Sequence, residues 1–479
     1  MSSDVEIGTV TTNIPARLDR LPWARFHWMV IIGLGTVWIL DGLEVTIVGS
    51  MSEALKPADT GLGMSNFDIG LAGAVYVAGA CLGALVFGQL TDRFGRKKLF
   101  IITLVLYTIA TVLTAFSMNP MWYFVCRFFT GAGIGGEYAA INSAIDELIP
   151  KDYRGRVDVV INGSFWVGAA AGALLTLPLL DPTLVNPAYG WRIAFGLGAV
   201  LAVGVLLVRR HVPESPRWLF IHGREDEAEE VVDDIEKRIS ADGHDLAEPE
   251  GTITVRQRRS IGMGLIAKTV FASYPKRTLV CFALFVGQAF LYNAFFFTYG
   301  DTLTTFLGVK QTGGYIAVFA VSNFLGALLL SKLFDTVGRR PMIAGTYLLS
   351  GVLLAITGLI LGNLTAITLT AAGAVIFFFA SAGASSAYLT VSEIFPMETR
   401  AMCIAFFYAI GTAAGGITGP LLFGALIQNA SGSGDITKIA IGYYIGAVLM
   451  IIGGVIQAVF GVKAERQSLE DIAKPLTAA

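Results

Sequence analysis

Apolar residues run through this chain in long, nearly uninterrupted stretches, with polar residues gathered in the segments between them. A helix of about 20 apolar residues crosses the roughly 30 Å hydrocarbon layer of a bilayer. Twelve stretches meet that length, starting near residues 26, 67, 99, 121, 158, 191, 278, 314, 342, 367, 401 and 438. The pattern predicts an all-α membrane protein with twelve transmembrane helices. One long polar insert interrupts it at 209–277. There Ala228, Val231, Val232, Ile235 and Ile239 recur at helical spacing among acids, the mark of an amphipathic helix. "ADGHDLAEPEG" after it is read as a linker, and "RQRR" (Arg256 to Arg259) as a contact to anionic lipid headgroups.

Charge sharpens the topology. Of 479 residues 54% are apolar and 15% charged, against about 25% charged in soluble domains. Of the Lys and Arg residues in the loops, only Lys56, Arg192, Lys310 and Lys438 fall on one side. The excess on the other side makes both termini cytoplasmic and the span count even. Residues 1–25 form an N-terminal cytoplasmic segment without an apolar signal region, so the first span is expected to target the chain. A six-helix bundle over 26–210, the cytoplasmic loop 211–277, a second bundle over 278–461 and a tail over 462–479 complete the expected plan. The four cysteines lie within the predicted spans and read as packing residues. The sequence presents no nucleophile–base pair, metal-ligand cluster or phosphate-cradling loop, so neither an enzyme nor a cofactor is expected.

The bundles repeat one plan. "GQLTDRFGRKK" (Gly88 to Lys98) follows the second span and "LFDTVGRRP" (Leu333 to Pro341) the eighth, with Asp335 243 positions after Asp92. "ELIPKDYRG" and "EIFPMETRA" follow the fourth and tenth spans, with Glu393 246 positions after Glu147 and Arg400 aligned with Arg154. Two motifs at nearly one offset indicate parallel repeats, an arrangement associated with transporters that bind substrate at the repeat interface. The first loop resembles the signature of the major facilitator superfamily at every defined position. "RFFTGAGIGGE" (Arg127 to Glu137) is similar to its fourth-span pattern, and "PESPRWLFIHGREDEAEE" (Pro213 to Glu230) to the close of the sixth span in its sugar-porter-like branch. The resemblance implies a conformational latch on the cytoplasmic side. Its expected residues are Gly88, Asp92, Arg93, Gly95, Arg96, Glu147, Arg154, Asp335, Gly338, Arg339, Glu393 and Arg400. Asp92 is expected to sit at a neighbouring helix N-terminus, where an anion is favoured.

"WILDGLEVTIVG" places Asp41 and Glu44 three residues apart in the first span, on one helix face. A charge near mid-bilayer costs about 2.5–3.5 kcal/mol on insertion scales, so this face must meet a cavity or a counter-charge. Arg127 is the basic residue well inside a span. At about 1.5 Å per residue, Asp41 lies roughly 20 Å, Glu44 roughly 24 Å and Arg127 roughly 21 Å from the cytoplasm, with Asp41 the closer match. D-G-x-[DE] in this span is similar to a motif of aromatic-acid:proton symporters; aligned with sugar porters, Glu44 takes the place of their proton-carrying aspartate. The resemblance implies that Asp41, Glu44 and Arg127 couple protons to transport.

Polar and aromatic residues at mid-span are the expected substrate contacts: Trp38, Tyr76, Glu137, Tyr138, Asn162, Trp166, Gln288, Tyr292, Asn293, Asn323, Tyr388 and Tyr408. Against the sugar-porter pattern, "GQAFLYN" keeps Gln288 and Asn293 but loses other polar positions, and Tyr388 stands where a Trp is usual. These losses favour a planar organic acid over a sugar or polyol, with Arg127 available to a carboxylate. A membrane sensor that keeps the fold without transport is the alternative of another class. The expected partners are a small-molecule substrate, protons and the lipid bilayer, without nucleic acid, for a monomer in a bacterial inner membrane.

Overall fold

The computed structural model describes residues 6–64, 66–209, 213–258, 263–309, 312–396 and 399–475. The chain begins with β1 (Glu6–Thr12), α1 (Ile14–Asp19) and α2 (Arg25–Ser50). Next come α3 (Asn66–Phe94), α4 (Arg96–Ala115), α5 (Pro120–Leu148), α6 (Arg154–Gly163), α7 (Phe165–Leu179) and α8 (Pro187–Arg209). The polar insert supplies α9 (Pro216–Ile221), α10 (Glu225–Ala241), β2 (Ile253–Arg258) and α11 (Met263–Lys268). The rest is α12 (Pro275–Leu307), α13 (Gly313–Thr336), α14 (Arg339–Ile360), α15 (Ala366–Ile394), α16 (Arg400–Gly411), α17 (Ile417–Ser431), α18 (Ala440–Phe460) and α19 (Leu469–Ile472).

Among the described residues, 11 helices are long and apolar enough to cross a membrane, with α6–α7 and α16–α17 each counted as one. The 29-residue α5 is not among them. Arg127, Glu137, Glu147 and a run of glycines lower its apolarity. It is nonetheless central, packed between α3 and α4. Asn119 caps it by accepting from the Trp122 N–H at 2.9 Å, with Pro120 in the first turn.

Glycine sets how closely these helices approach. A Cβ on Gly79 or Gly83 of α3 would overlap the backbone of α5, and one on Gly131 or Gly135 of α5 would overlap that of α3. Such interdigitated small residues replace the hydrophobic drive that is missing between helices in lipid. α2 through α8 pack chiefly on one another, as do α12 through α18. The two groups meet where α3 and α5 touch α16, and where α6 and α7 touch α13.

On the face that carries the basic loops, α10 buries Ala228, Val232, Ile235 and Ile239 as its spacing requires. Its acidic side holds Arg17, which reaches Asp233 at 2.6 Å and Glu236 at 2.6 Å, while Arg20 reaches Glu236 at 2.6 Å. The all-α expectation needs one correction here: β1 and β2 form a two-stranded antiparallel sheet, with Val10 opposite Val255. The alternating Val and Thr residues of β1 suit a pleated surface. Arg256, Gln257 and Arg258 of the basic run are therefore strand residues. Gln257 is buried and donates to the Phe220 carbonyl at 2.8 Å. Arg259 lies outside the described residues.

Burial alone would push the Glu236 carboxyl up, but hydrogen bonds from Arg17 and Arg20 outweigh it and hold it below its ordinary 4.5. A depressed carboxylate contributes stability above its unfolded value and loses it as pH falls below that value. Limited proteolysis of the 213–258 segment should therefore accelerate below about pH 4.5. Arg17→Ala should produce the same acceleration at pH 7, and equal digestion of variant and wild type there would refute the assignment.

Candidate functional site

Glu44 and Arg127 meet inside the first group of helices. The Arg127 guanidinium donates to Glu44 Oε1 at 2.5 Å, and both side chains are almost fully buried. Arg127 also lies over the Tyr76 ring, 4.7 Å from its centroid, a cation–π contact that strengthens as water is excluded. Tyr107 is fully buried within electrostatic reach of Glu44. Depth favoured Asp41 as the partner of Arg127, and the structure pairs Glu44 instead. The mismatch of roughly 3 Å is less than one helical turn; azimuth and side-chain reach decide. Asp41 is fully buried, close to Glu44, and neither of its oxygens has a hydrogen-bond partner.

The other face of α2 is fixed by close packing. A Cβ on Gly42 would overlap the Phe165 carbonyl of α7, and one on Gly168 the Ile39 carbonyl. α2 is thereby locked to α7, with Trp38, Asp41 and Glu44 following one another along the remaining surface.

Four predicted contacts converge into an aromatic box spanning the two groups. Trp38 stacks on Tyr138 with centroids 4.5 Å apart and planes inclined by 6°. Tyr408 meets Tyr138 edge-on at 4.9 Å, and Tyr388 meets Trp38 edge-on at 5.8 Å. Phe285, which the sequence did not single out, closes against Tyr388 at 5.1 Å. A π-helical turn, Thr412–Gly416, begins four residues after Tyr408, at the end of α16; such turns favour functional sites. A second cluster lies beside it, where Trp166 stacks on Tyr292 at 5.4 Å and the Tyr292 hydroxyl donates to Asn323 at 2.7 Å.

The predicted amides are engaged with protein. Asn162 donates to Asn142 at 3.0 Å and to its own helix at Asp158 O, 2.9 Å. Asn293 and Asn323 donate to the carbonyls four residues before them, each at 2.8 Å. Gln288 is half-buried on α12. Glu137 is fully buried within electrostatic reach of Tyr76 and Tyr107, inside the first group.

The loop motifs join the two groups on the basic face. Asp335 of the second group accepts from the N–H groups of Gly155 at 3.1 Å and Arg156 at 3.0 Å, capping α6 of the first. Arg400 donates across to Glu147 at 3.3 Å, and Glu147 also receives Arg96 at 3.0 Å. Arg339 holds Asp335 at 2.7 Å and Glu393 at 2.9 Å. Arg154 reaches Asp19 at 3.3 Å. A Cβ on Gly88 would overlap that of Ala405. Arg93 is exposed and lies over Phe94. The side chain of Asp92 lies outside the described residues.

Sequence reasoning missed the acids behind these loops. Gly95 and Gly338 adopt φ of 98° and 114°, which favours glycine. Each precedes a helix N-terminus held by an acid. Glu214 accepts from Arg96 N at 3.0 Å and Lys97 N at 3.1 Å, and Glu465 accepts from Arg339 N at 3.3 Å. The signal was present in "PESPRW", an acid before a proline-started helix, and was read only as a family pattern. Also missed was Arg217, which joins Asp19 at 3.3 Å to Glu470 of the tail at 3.0 Å.

Comparison with known proteins places this geometry. The model of the "Sugar (and other) transporter" family matches residues 38–475. The niacin transporter NiaP of Acinetobacter baylyi is 30% identical over 423 residues, covering 86% of this chain and 89% of its own. The 4-hydroxybenzoate transporter PcaK of Pseudomonas putida is 25% identical, covering 91% and 92%. The structure of the proton:xylose symporter XylE, of the major facilitator superfamily, superposes with a TM-score of 0.75 at 19% identity, covering 94% of this chain and 98% of that one. With a shared fold and a family match over nearly its full length, the chain belongs to the sugar (and other) transporter family of the major facilitator superfamily, an integral, multi-pass membrane transporter of small organic solutes.

Proposed function

We propose that the protein is a twelve-span, proton-coupled symporter with both termini in the cytoplasm, carrying a small planar aromatic acid by alternating access. The two groups of helices act as six-helix halves that rock about the aromatic box. The observation that carries the reading is the box itself. Trp38 and Tyr138 from one half face Tyr388 and Tyr408 from the other, next to the buried charges of Asp41, Glu44 and Arg127. As the halves part, a flat ring replaces one of these ring–ring contacts in offset or edge-on geometry, at about 0.5–1.5 kcal/mol per pair beyond its buried area. Niacin and 4-hydroxybenzoate, named for two relatives, are both flat rings bearing a carboxylate. A sugar needs many free amides, and Asn162, Asn293 and Asn323 spend donors on protein acceptors.

Coupling follows from the ion pair. In the state described, with the halves latched on the cytoplasmic face, Arg127 is held by Glu44. A proton reaching Glu44 removes the charge that holds the guanidinium and frees it for the substrate carboxylate. A monoanion moving with one proton carries no net charge and responds to the pH gradient alone. A second proton makes transport electrogenic, and 100 mV then adds about 2.3 kcal/mol, roughly a fifty-fold gradient.

Purified protein in vesicles with an acidic exterior should accumulate labelled niacin or 4-hydroxybenzoate above the external concentration, and xylose should remain at equilibrium. Binding without uptake of any probe would establish the sensor alternative; accumulation of xylose alone would establish the sugar reading.

A further inference from the structure

The geometry points to a division of labour between the two acids, resting on the reading above: Asp41, with Trp38, recognises a hydroxyl or carboxamide group on the aromatic substrate, while Glu44 serves the coupling pair. Asp41 is fully buried and both carboxylate oxygens are without a hydrogen-bond partner. The indole Nε1 of Trp38, one turn earlier on the same helix, is a second buried polar atom without one. A carboxylate in such surroundings is strongly disfavoured unless a donor meets it. No described side chain does so, whereas Glu44 has Arg127.

The two open positions are complementary in kind. Ionised Asp41 only accepts, and the indole N–H only donates. A ligand group that both donates and accepts, such as a phenolic hydroxyl or a primary amide, satisfies the pair. A bare ring or a second carboxylate does not. Position agrees, because Tyr138 stacks on Trp38 and lies within electrostatic reach of Asp41. A ring held in the box therefore lies near this acid. Asp41 and Glu44 are neighbours one turn apart on their helix, roughly 5–6 Å between Cβ atoms. That separation suits a ring with its hydroxyl at Asp41 and its carboxylate at the Arg127 released by Glu44.

The test compares 4-hydroxybenzoate with 4-fluorobenzoate, which nearly matches it in shape and lacks the donor, by calorimetric titration of the full-length protein. Wild type should bind the hydroxylated probe about ten-fold or more tighter, the scale of a hydrogen bond to a charged group. Asp41→Leu, similar in shape with no acceptor, should bring the two affinities within about two-fold, and Trp38→Phe should reduce the ratio less. Thermal melting of each variant checks that it is folded. Equal affinities in wild type overturn the inference without any variant, as does a ten-fold preference surviving in Asp41→Leu. If neither benzoate nor niacin binds wild type, the aromatic reading and this inference fall together. Binding of both benzoates without discrimination removes the inference alone.

Discussion

Glu44→Gln should abolish uphill accumulation in vesicles while exchange of labelled for unlabelled solute continues at a measurable rate. The amide cannot take up and release the proton that frees Arg127, so a pH gradient no longer biases the two states. Accumulation should fall to the external concentration from roughly ten-fold per pH unit for one coupled proton. The substitution also leaves a buried guanidinium without its counter-charge, a defect of about 3–5 kcal/mol, so the melting temperature should drop as well. Adding Arg127→Met to Glu44→Gln should recover much of that stability, because it removes the uncompensated buried charge. It should not recover accumulation. That split separates coupling from a purely structural ion pair: accumulation that returns together with stability would show that Glu44 merely fixes packing.

Glu147→Gln should unlatch the face that carries the basic loops. Its carboxylate is the acceptor shared by Arg96 of its own half and Arg400 of the other. Without the charge, two buried guanidinium groups face each other with one neutral acceptor between them, again a penalty of about 3–5 kcal/mol. Separating the halves relieves it by admitting water. Cys81 of α3 donates to the Ala409 carbonyl of α16 across the seam at 3.4 Å and forms no disulfide; it therefore reports the opening directly. Labelling by a thiol reagent should accelerate at least ten-fold in the variant. Equal labelling rates would show that the latch rests on Asp335 and the Gly88–Ala405 contact instead.

Helix placement was legible because the bilayer forces it into the sequence as long apolar runs. The loop residues were legible because the motifs occur twice. Asp335 accepts from helix N–H groups as expected of its counterpart Asp92, whose side chain lies outside the described residues. The aromatic box was partly legible: Trp38, Tyr138, Tyr388 and Tyr408 were selected by mid-span position, and they converge. Which acid binds Arg127 was not legible from depth, although the sugar-porter resemblance put Glu44 in the place of the aspartate opposite the fourth-span arginine, as observed. Rise along an axis gives depth, but azimuth depends on the α2–α7 contact at Gly42 and Gly168, and nothing in "WILDGLEVTIVG" alone specifies it. The amides show the same gap, since Asn162 looks free in sequence and is used by Asn142. The β1–β2 pairing joins residues some 240 positions apart across a polar tail and a linker, where no membrane imposes a pattern.

The tail between Glu465 and Ile472 reaches four places: Arg339 at the head of α14, Arg277 at the head of α12, Arg154 in the first half and Arg217 in the polar insert. These residues follow every membrane helix in the chain, so they are the last of the set to leave the ribosome. While α2 to α18 are inserting, Arg217 and the start of α14 lack the partners that the tail supplies. The two halves can therefore settle against each other through Asp335, Glu147 and Arg400 before the tail adds its contacts. Synthesis itself thus sets an order in which the halves assemble first and the tail closes over the basic face last.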